Sequence, residues 1–176
     1  LALLRLYQLK PEEKLLGTVK LMFVRFISER YERYHDHWLS YCTNELTKIC
    51  PEEKYFLFGM KNYLRHIIFI RNRKTSYATL LELMMAAYQM IERMKKLGLA
   101  ELFKQSHFDD LKKLIEFRTE FQRTGFFYPE VAMYMARPDK ILHAFYVRHD
   151  RFRVRIDDQE HNLSGYIAYV QHFENE

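Results

Sequence analysis

The sequence predicts an all-α fold, and three observations carry that expectation. Apolar residues recur at three- and four-residue steps through most of the chain, the period of an amphipathic helix. Glycine and proline are scarce, five and four in 176 residues, which argues against a turn-rich β architecture. Each of the four prolines, Pro11, Pro51, Pro129 and Pro138, opens a helical pattern. Proline is favoured in the first helical turn, where its missing N–H would have had no partner. The expected architecture is an irregular array of paired antiparallel helices, about seven or eight, with one short extended segment near residues 149–157. A simple four-helix bundle fits less well, because the proline-started helices near the C-terminus are short.

Pro11-Glu12-Glu13 places acids at the positive end of a helix dipole. Val19, Phe23, Phe26, Ile27, Tyr34 and Trp38 then mark a long helix, broken or kinked before Pro51. PEEKYFLFGMKNYLRHIIFI repeats the opening and runs to about residue 70, apolar nearly all round, as a central helix is. After the polar connector RNRKTS, Thr75 or Ser76 is expected to cap a third helix. Leu80, Met84, Ala87, Tyr88 and Ile91 form its stripe, and Gly98 closes it. A short helix at 99–104 follows, then one opened by Ser106 with Asp109 and Asp110 and ended by Gly125. Two short helices start at Pro129 and Pro138, and the last helix is expected over 158–174.

Apolar residues make up 48% and charged residues 29%, a globular and not a disordered composition. One domain spanning 1–176 is expected, or a piece of a larger protein, since LALLRLYQLK lacks an initiator Met. No run reaches about 18 apolar residues, so no membrane span is expected. Cys42 and Cys50, about 12 Å apart on a helix, are too far apart to bridge and read as buried free thiols. That usage suits a reducing compartment and a cytoplasmic location.

The formal net charge is +5, with 14 Lys and Arg against 8 Asp and Glu in residues 1–74 and a near-neutral remainder. A basic half attracts anionic partners. Lys61, Arg65, Arg71, Arg73 and Lys74 are the residues expected to hold one. Cations at a helix C-terminus also answer the dipole without any ligand. No nucleic-acid-binding motif accompanies the charge, so nucleic acid is the less favoured partner.

RHDRFRVRIDDQEHNLSGY, residues 148–166, breaks the helical pattern. Phe152, Val154 and Ile156 alternate with Arg153 and Arg155, as in an extended segment with its apolar face buried. Asp157-x-x-Glu160 has the spacing of a capping box. Beyond it, Leu163, Tyr166, Ile167, Val170 and Phe173 make an apolar stripe. Asp158, His161, Gly165, Ala168 and His172 make a second row of polar and small residues. The functional reading gives Asp158 and His161 as base and acid, tuned by Arg153 and Arg155, with Asp157 and His149 completing a ligand-binding mouth.

No cofactor and no metal is expected. Glu32-x-x-His35 and Asp158-x-x-His161 have di-iron spacing, but the second carries Asp for Glu, and Glu82, Glu92, Glu116 and Glu120 form no motif of their own. Glu29, Glu32 and Asp36 lie opposite the apolar stripe and are expected to be solvated. Met84, Met85 and Met90 read as adaptable core. Glycine-rich phosphate loops and nucleophile elbows are absent. Two function classes remain. The first is a non-catalytic helical module that binds a protein or an anionic partner through the basic half. The alternative is an enzyme, or the terminal part of an α/α-barrel-like one, acting on a carbohydrate-like or phosphorylated substrate around 149–161.

Overall fold

A computed structural model describes residues 1–34 and 36–174, with Ala100 described by its backbone alone. Among the described residues the fold is all-α. Nine α-helices run in order: α1 (Ala2–Leu9), α2 (Glu13–Ser28), α3 (His37–Ile49), α4 (Glu53–Asn72), α5 (Thr79–Lys96), α6 (Gln105–Arg123), α7 (Pro129–Ala132), α8 (Pro138–Ile141) and α9 (Ile156–Tyr169). Only two isolated β-bridges occur among these residues, Phe126 with Phe145 and Val147 with Arg153. No described helix is long and apolar enough to cross a membrane.

The chain divides into two compact units. The first holds Leu1–Ile70 and Ala86–Asp110, the second Arg71–Met85 and Leu111–Glu176. The first unit packs Leu4, Leu16, Val19, Phe23, Leu39, Leu46, Tyr55 and Phe58 into one core. Phe23 sits at its centre, edge-on to Phe26, Tyr55 and Phe58 at 5.6, 5.6 and 5.8 Å. The opening helix α1, legible in the sequence only as an apolar run, joins this core through Leu4. The long helix expected after Pro11 breaks where Arg30 turns left-handed at φ 55°. A 3₁₀ turn over Tyr31–Arg33 follows, and Asp36 then starts α3 by accepting from the N–H of Trp38 and of Leu39. Glu32, expected in solvent, is buried; His35 lies outside the described residues. Cys42 and Cys50 are free and half-buried.

Glu45 is a buried carboxylate in this unit. Lys48 at 2.6 Å, Arg5 at 3.4 Å and the Gln8 amide at 2.9 Å meet it, so it ties α1 to α3. Burial raises its pKa, but the bonds from Lys48 and Gln8 and the charges of Lys48 and Arg5 outweigh it, and the carboxyl is held below its ordinary value.

In the second unit the start of α5 differs from expectation. Thr75 and Ser76 do not cap it; it begins at Thr79, and the Ser76 hydroxyl donates to the Tyr146 carbonyl at 3.4 Å. Gly125 closes α6 where a Cβ would fall 2.6 Å from Ser76 Oγ, so a side chain there would displace Ser76. Met84, Met85 and Met90 are core residues of their respective units.

The largest correction concerns α9. Its expected apolar stripe divides: Leu163 is 54% and Ile167 57% exposed, while Tyr166 is half-buried and stacks on Phe145 at 5.6 Å. The row of polar and small residues faces in. Gly165 lies against Leu81, so close that a Cβ would stand 3.1 Å from that side chain. Asn162 accepts from the Gln122 amide at 2.9 Å, and the Tyr166 hydroxyl donates to the Thr119 carbonyl at 2.7 Å. His161 Nδ1 is 2.9 Å from the buried Glu82 carboxylate. Hydrogen bonds and close backbone approach, not the apolar stripe, hold α9 on the unit.

Two outcomes test this packing. Gly165→Leu should lower unfolding free energy by about 1–3 kcal/mol through overpacking on Leu81. Leu163→Gln should stay within about 0.5 kcal/mol of the parent. Urea denaturation reads both, and the reverse order would turn α9 round. For Glu45, the depressed pKa makes its stabilisation present above about pH 4.5, the ordinary value, and lost as pH falls through the lower folded value. Glu45→Gln should therefore flatten the acid limb of a stability–pH curve, measured as the urea midpoint from pH 6 down to about pH 3.

Candidate anion-binding pocket

Two loops of the second unit bring cations together. The first, residues 73–76, leaves α4 with no helix to continue it. It is fixed from below by Arg118 of α6, whose side chain is fully buried. Arg118 Nη1 donates to the Thr75 carbonyl at 3.4 Å, and Nη2 donates to the Arg73 carbonyl. The guanidinium lies 5.1 Å from the Phe121 ring centre. Burial, aided by the charge of Arg73, lowers its pKa to about 10, so it stays cationic at neutral pH. Arg73 donates through Nε to the Thr75 hydroxyl at 2.9 Å and stacks over Tyr77. Thr75 accepts in that bond, which leaves its own hydroxyl proton for another partner.

The second loop is the turn that follows Val147. Arg148–Asp150 form a 3₁₀ turn, and the Val147 N–H donates to the Arg153 carbonyl at 2.9 Å to close it. Arg153 pairs with Asp150 at 2.6 Å. Arg151 and Phe152 both take left-handed conformations, φ 55° and 58°, without being glycine. Such residues cost about 1–3 kcal/mol each and persist only where the surroundings over-determine them. Here the bridge, the ion pair and the contact of Phe152 with the Tyr146 ring at 5.2 Å do so.

Between the loops lies a pocket of about 100 Å³ lined by Lys74, Thr75, Ser76, Phe121, Thr124, Arg148 and His149. Lys74, Arg148 and His149 are exposed at its mouth, and Ser76 is buried in its wall. It therefore combines two cations, a histidine, three hydroxyls and one aromatic face.

The sequence-predicted residues fare unequally. Lys74 and His149, expected in separate sites, line this one pocket. Arg73 stands behind it through Thr75. Arg71 lies exposed in the last turn of α4, and Lys61 and Arg65 are exposed on the part of α4 in the first unit. Arg153, Arg155 and Asp157 do not line the pocket but pair locally: Arg153 with Asp150, and Arg155 with Asp157 and, at 3.7 Å, Asp158. These exposed pairs contribute little to stability. The capping box is not formed: α9 starts after Arg155 with no side-chain cap, and Asp157 turns to Arg155. Phe152, Val154 and Ile156, expected to be buried, are exposed, Ile156 at 88%. Asp158 and His161 lie on the inward face of α9, where His161 meets Glu82 and, at 3.1 Å, Glu160. Arg148, Thr75, Ser76, Phe121 and Thr124 escaped the sequence reading. Arg148 alone had a signal, its place beside His149; the others needed the end of α6 to meet residues 74–76.

Arg118 should prove to be the residue that positions the first loop. Arg118→Met takes the guanidinium from the Arg73 carbonyl and leaves the Thr75 carbonyl only the Tyr77 N–H, and the expected loss is about 1–3 kcal/mol with faster amide exchange at 73–77. Arg118→Lys should not restore the exchange protection, because an ammonium lacks the planar fork that reaches two carbonyls. Exchange unchanged in both variants would remove this role. Comparison with protein-family models, with curated proteins and with solved structures finds no match for the chain.

Proposed function

We propose that the protein is a non-catalytic helical binding module whose second unit takes an anionic ligand. The observation that carries this reading is the convergence of Lys74, Arg148 and His149 with the Thr75 hydroxyl on one small pocket. Cationic side chains at exposed positions are ordinary, and most remain solvated. Here they come from two separate chain segments, each braced from behind. Arg118 fixes the carbonyls on either side of Lys74, and the closed turn fixes Arg148 and His149. Bracing of this kind lowers the cost of ordering the donors when a ligand arrives.

The binding reading is preferred to the enzymatic one on the placement of the acid–base candidates. Asp158 and His161 are engaged on the inward face of α9 and do not line the pocket. Against that, the pocket offers donors without a carboxylate among its lining residues.

Titration with sodium sulfate, followed by NMR shifts of the amides at 74–76, 124 and 148–149, tests the proposal. Lys74→Gln and Arg148→Gln should each weaken binding about tenfold or more, as expected for lost charge-assisted hydrogen bonds. Arg155→Gln, Asp158→Asn and His161→Ala should leave the affinity within a factor of two or so. Binding that falls only with the Asp158 and His161 variants would reinstate the enzymatic site.

A further inference from the structure

We infer that the ligand group seated in this pocket is a terminal phosphomonoester carried on a larger molecule. The inference rests on the anion-binding reading and narrows it by volume, donor geometry and wall chemistry.

Volume comes first. At about 100 Å³ the pocket is well short of the roughly 300–1,000 Å³ that encloses a drug-sized ligand. It takes a compact head group and leaves the body of the ligand outside. A whole nucleoside does not fit within it.

Donor geometry separates the compact anions. A carboxylate presents two oxygens in a plane. A phosphodiester presents two terminal oxygens and one negative charge. A phosphomonoester presents three terminal oxygens and a charge of about −1.5 to −2 at neutral pH. The side-chain donors the pocket offers a ligand come from two loops, 74–75 and 148–149, since the Ser76 and Thr124 hydroxyls donate to the Tyr146 and Phe121 carbonyls. Lys74 brings an ammonium, Arg148 a planar fork, and His149 a ring N–H in either protonation state. Thr75 has its hydroxyl proton free of the bond in which it accepts from Arg73. Two cations, with the Thr75 hydroxyl and the His149 ring beside them, match a group of nearly two negative charges and three terminal oxygens better than a planar anion of single charge. The buried Arg118 charge behind Thr75 and Phe121 adds to the positive field on the same wall.

The third argument is the wall itself. Phe121 is half-buried and presents an aromatic face among the polar residues. An ester carbon and the body beyond it find apolar contact there, which free inorganic phosphate does not use. A nucleic-acid backbone, made of diesters, is disfavoured by the same reasoning, since such partners are held along extended basic grooves.

The test uses the whole chain and five probes at constant ionic strength: phenyl phosphate, glycerol 3-phosphate, inorganic phosphate, dimethyl phosphate and acetate. NMR shifts of the pocket amides give the affinities. At least one of the two monoesters should bind tenfold or more tightly than dimethyl phosphate and acetate, and no more weakly than inorganic phosphate. Thr75→Val, which keeps the shape and removes the hydroxyl, should narrow the gap between monoester and diester at least threefold. Dimethyl phosphate or acetate binding within threefold of both monoesters overturns the inference and leaves the anion-binding reading standing. Inorganic phosphate binding while both monoesters fail also overturns it. If none of the five probes binds and sulfate does not either, both readings fall together.

Discussion

A guanidinium without access to water must direct its N–H groups at protein oxygens, and Arg118 directs them at the carbonyls of Arg73 and Thr75. Everything proposed for the second unit depends on that constraint. The loop after α4 has neither a helix nor a strand to hold it. Two carbonyls fastened to a rigid helix replace such support, with Lys74 between them and Thr75 at the end. The charge of Arg118 is retained because its pKa, though lowered to about 10, stays above neutrality. The same side chain thus fixes the loop and makes the wall behind it positive.

Strain on the opposite loop fits the same pattern. Arg151 and Phe152 sit left-handed within a turn that is closed by a backbone bridge and an Arg153–Asp150 pair. A relaxed chain would avoid two such residues in succession. Their persistence means the packing behind the turn outweighs the strain, and it leaves Arg148 and His149 on a short, closed support. Arg153 and Arg155 pair locally because each has an aspartate two or three residues away.

Fold class was legible because helical periodicity, prolines at helix starts and glycines after helix ends are local signals. Pro51, Gly98, Pro129 and Pro138 each mark the boundary that the structure shows within a residue or two. The break at Arg30 was placed only approximately, because no glycine marks it and Arg takes the left-handed position that glycine usually fills. The pocket was half legible. Lys74 and His149 stood out as charged residues in polar segments. Thr75 and Ser76 looked like caps, since a hydroxyl before an apolar run has the same appearance whether it starts a helix or lines a cavity. Phe121 and Thr124 carry no local signal, because only tertiary contact gives them a role.

The inverted face of α9 shows where a periodicity argument fails. Periodicity assumes that burial of apolar area decides which side faces in, at about 1.5–3 kcal/mol per large side chain. On α9 that preference would bury Leu163 and Ile167, and both are exposed. The opposite face offers Gly165, which lets the helix close on Leu81, and two polar groups that each find a partner, Asn162 with Gln122 and His161 with Glu82, while Tyr166 at the flank reaches the Thr119 carbonyl. Each such bond contributes about 0.5–1.5 kcal/mol, and an unmet partner would cost about 1–3. Glu82 and Gln122 are already buried on α5 and α6. Turning α9 apolar-face-in would leave the Glu82 carboxylate and the Gln122 amide without His161 and Asn162. The orientation is therefore set by groups on other helices that must be satisfied, which no pattern within α9 can disclose. The same reasoning accounts for His161 as a partner that Glu82 needs inside the unit.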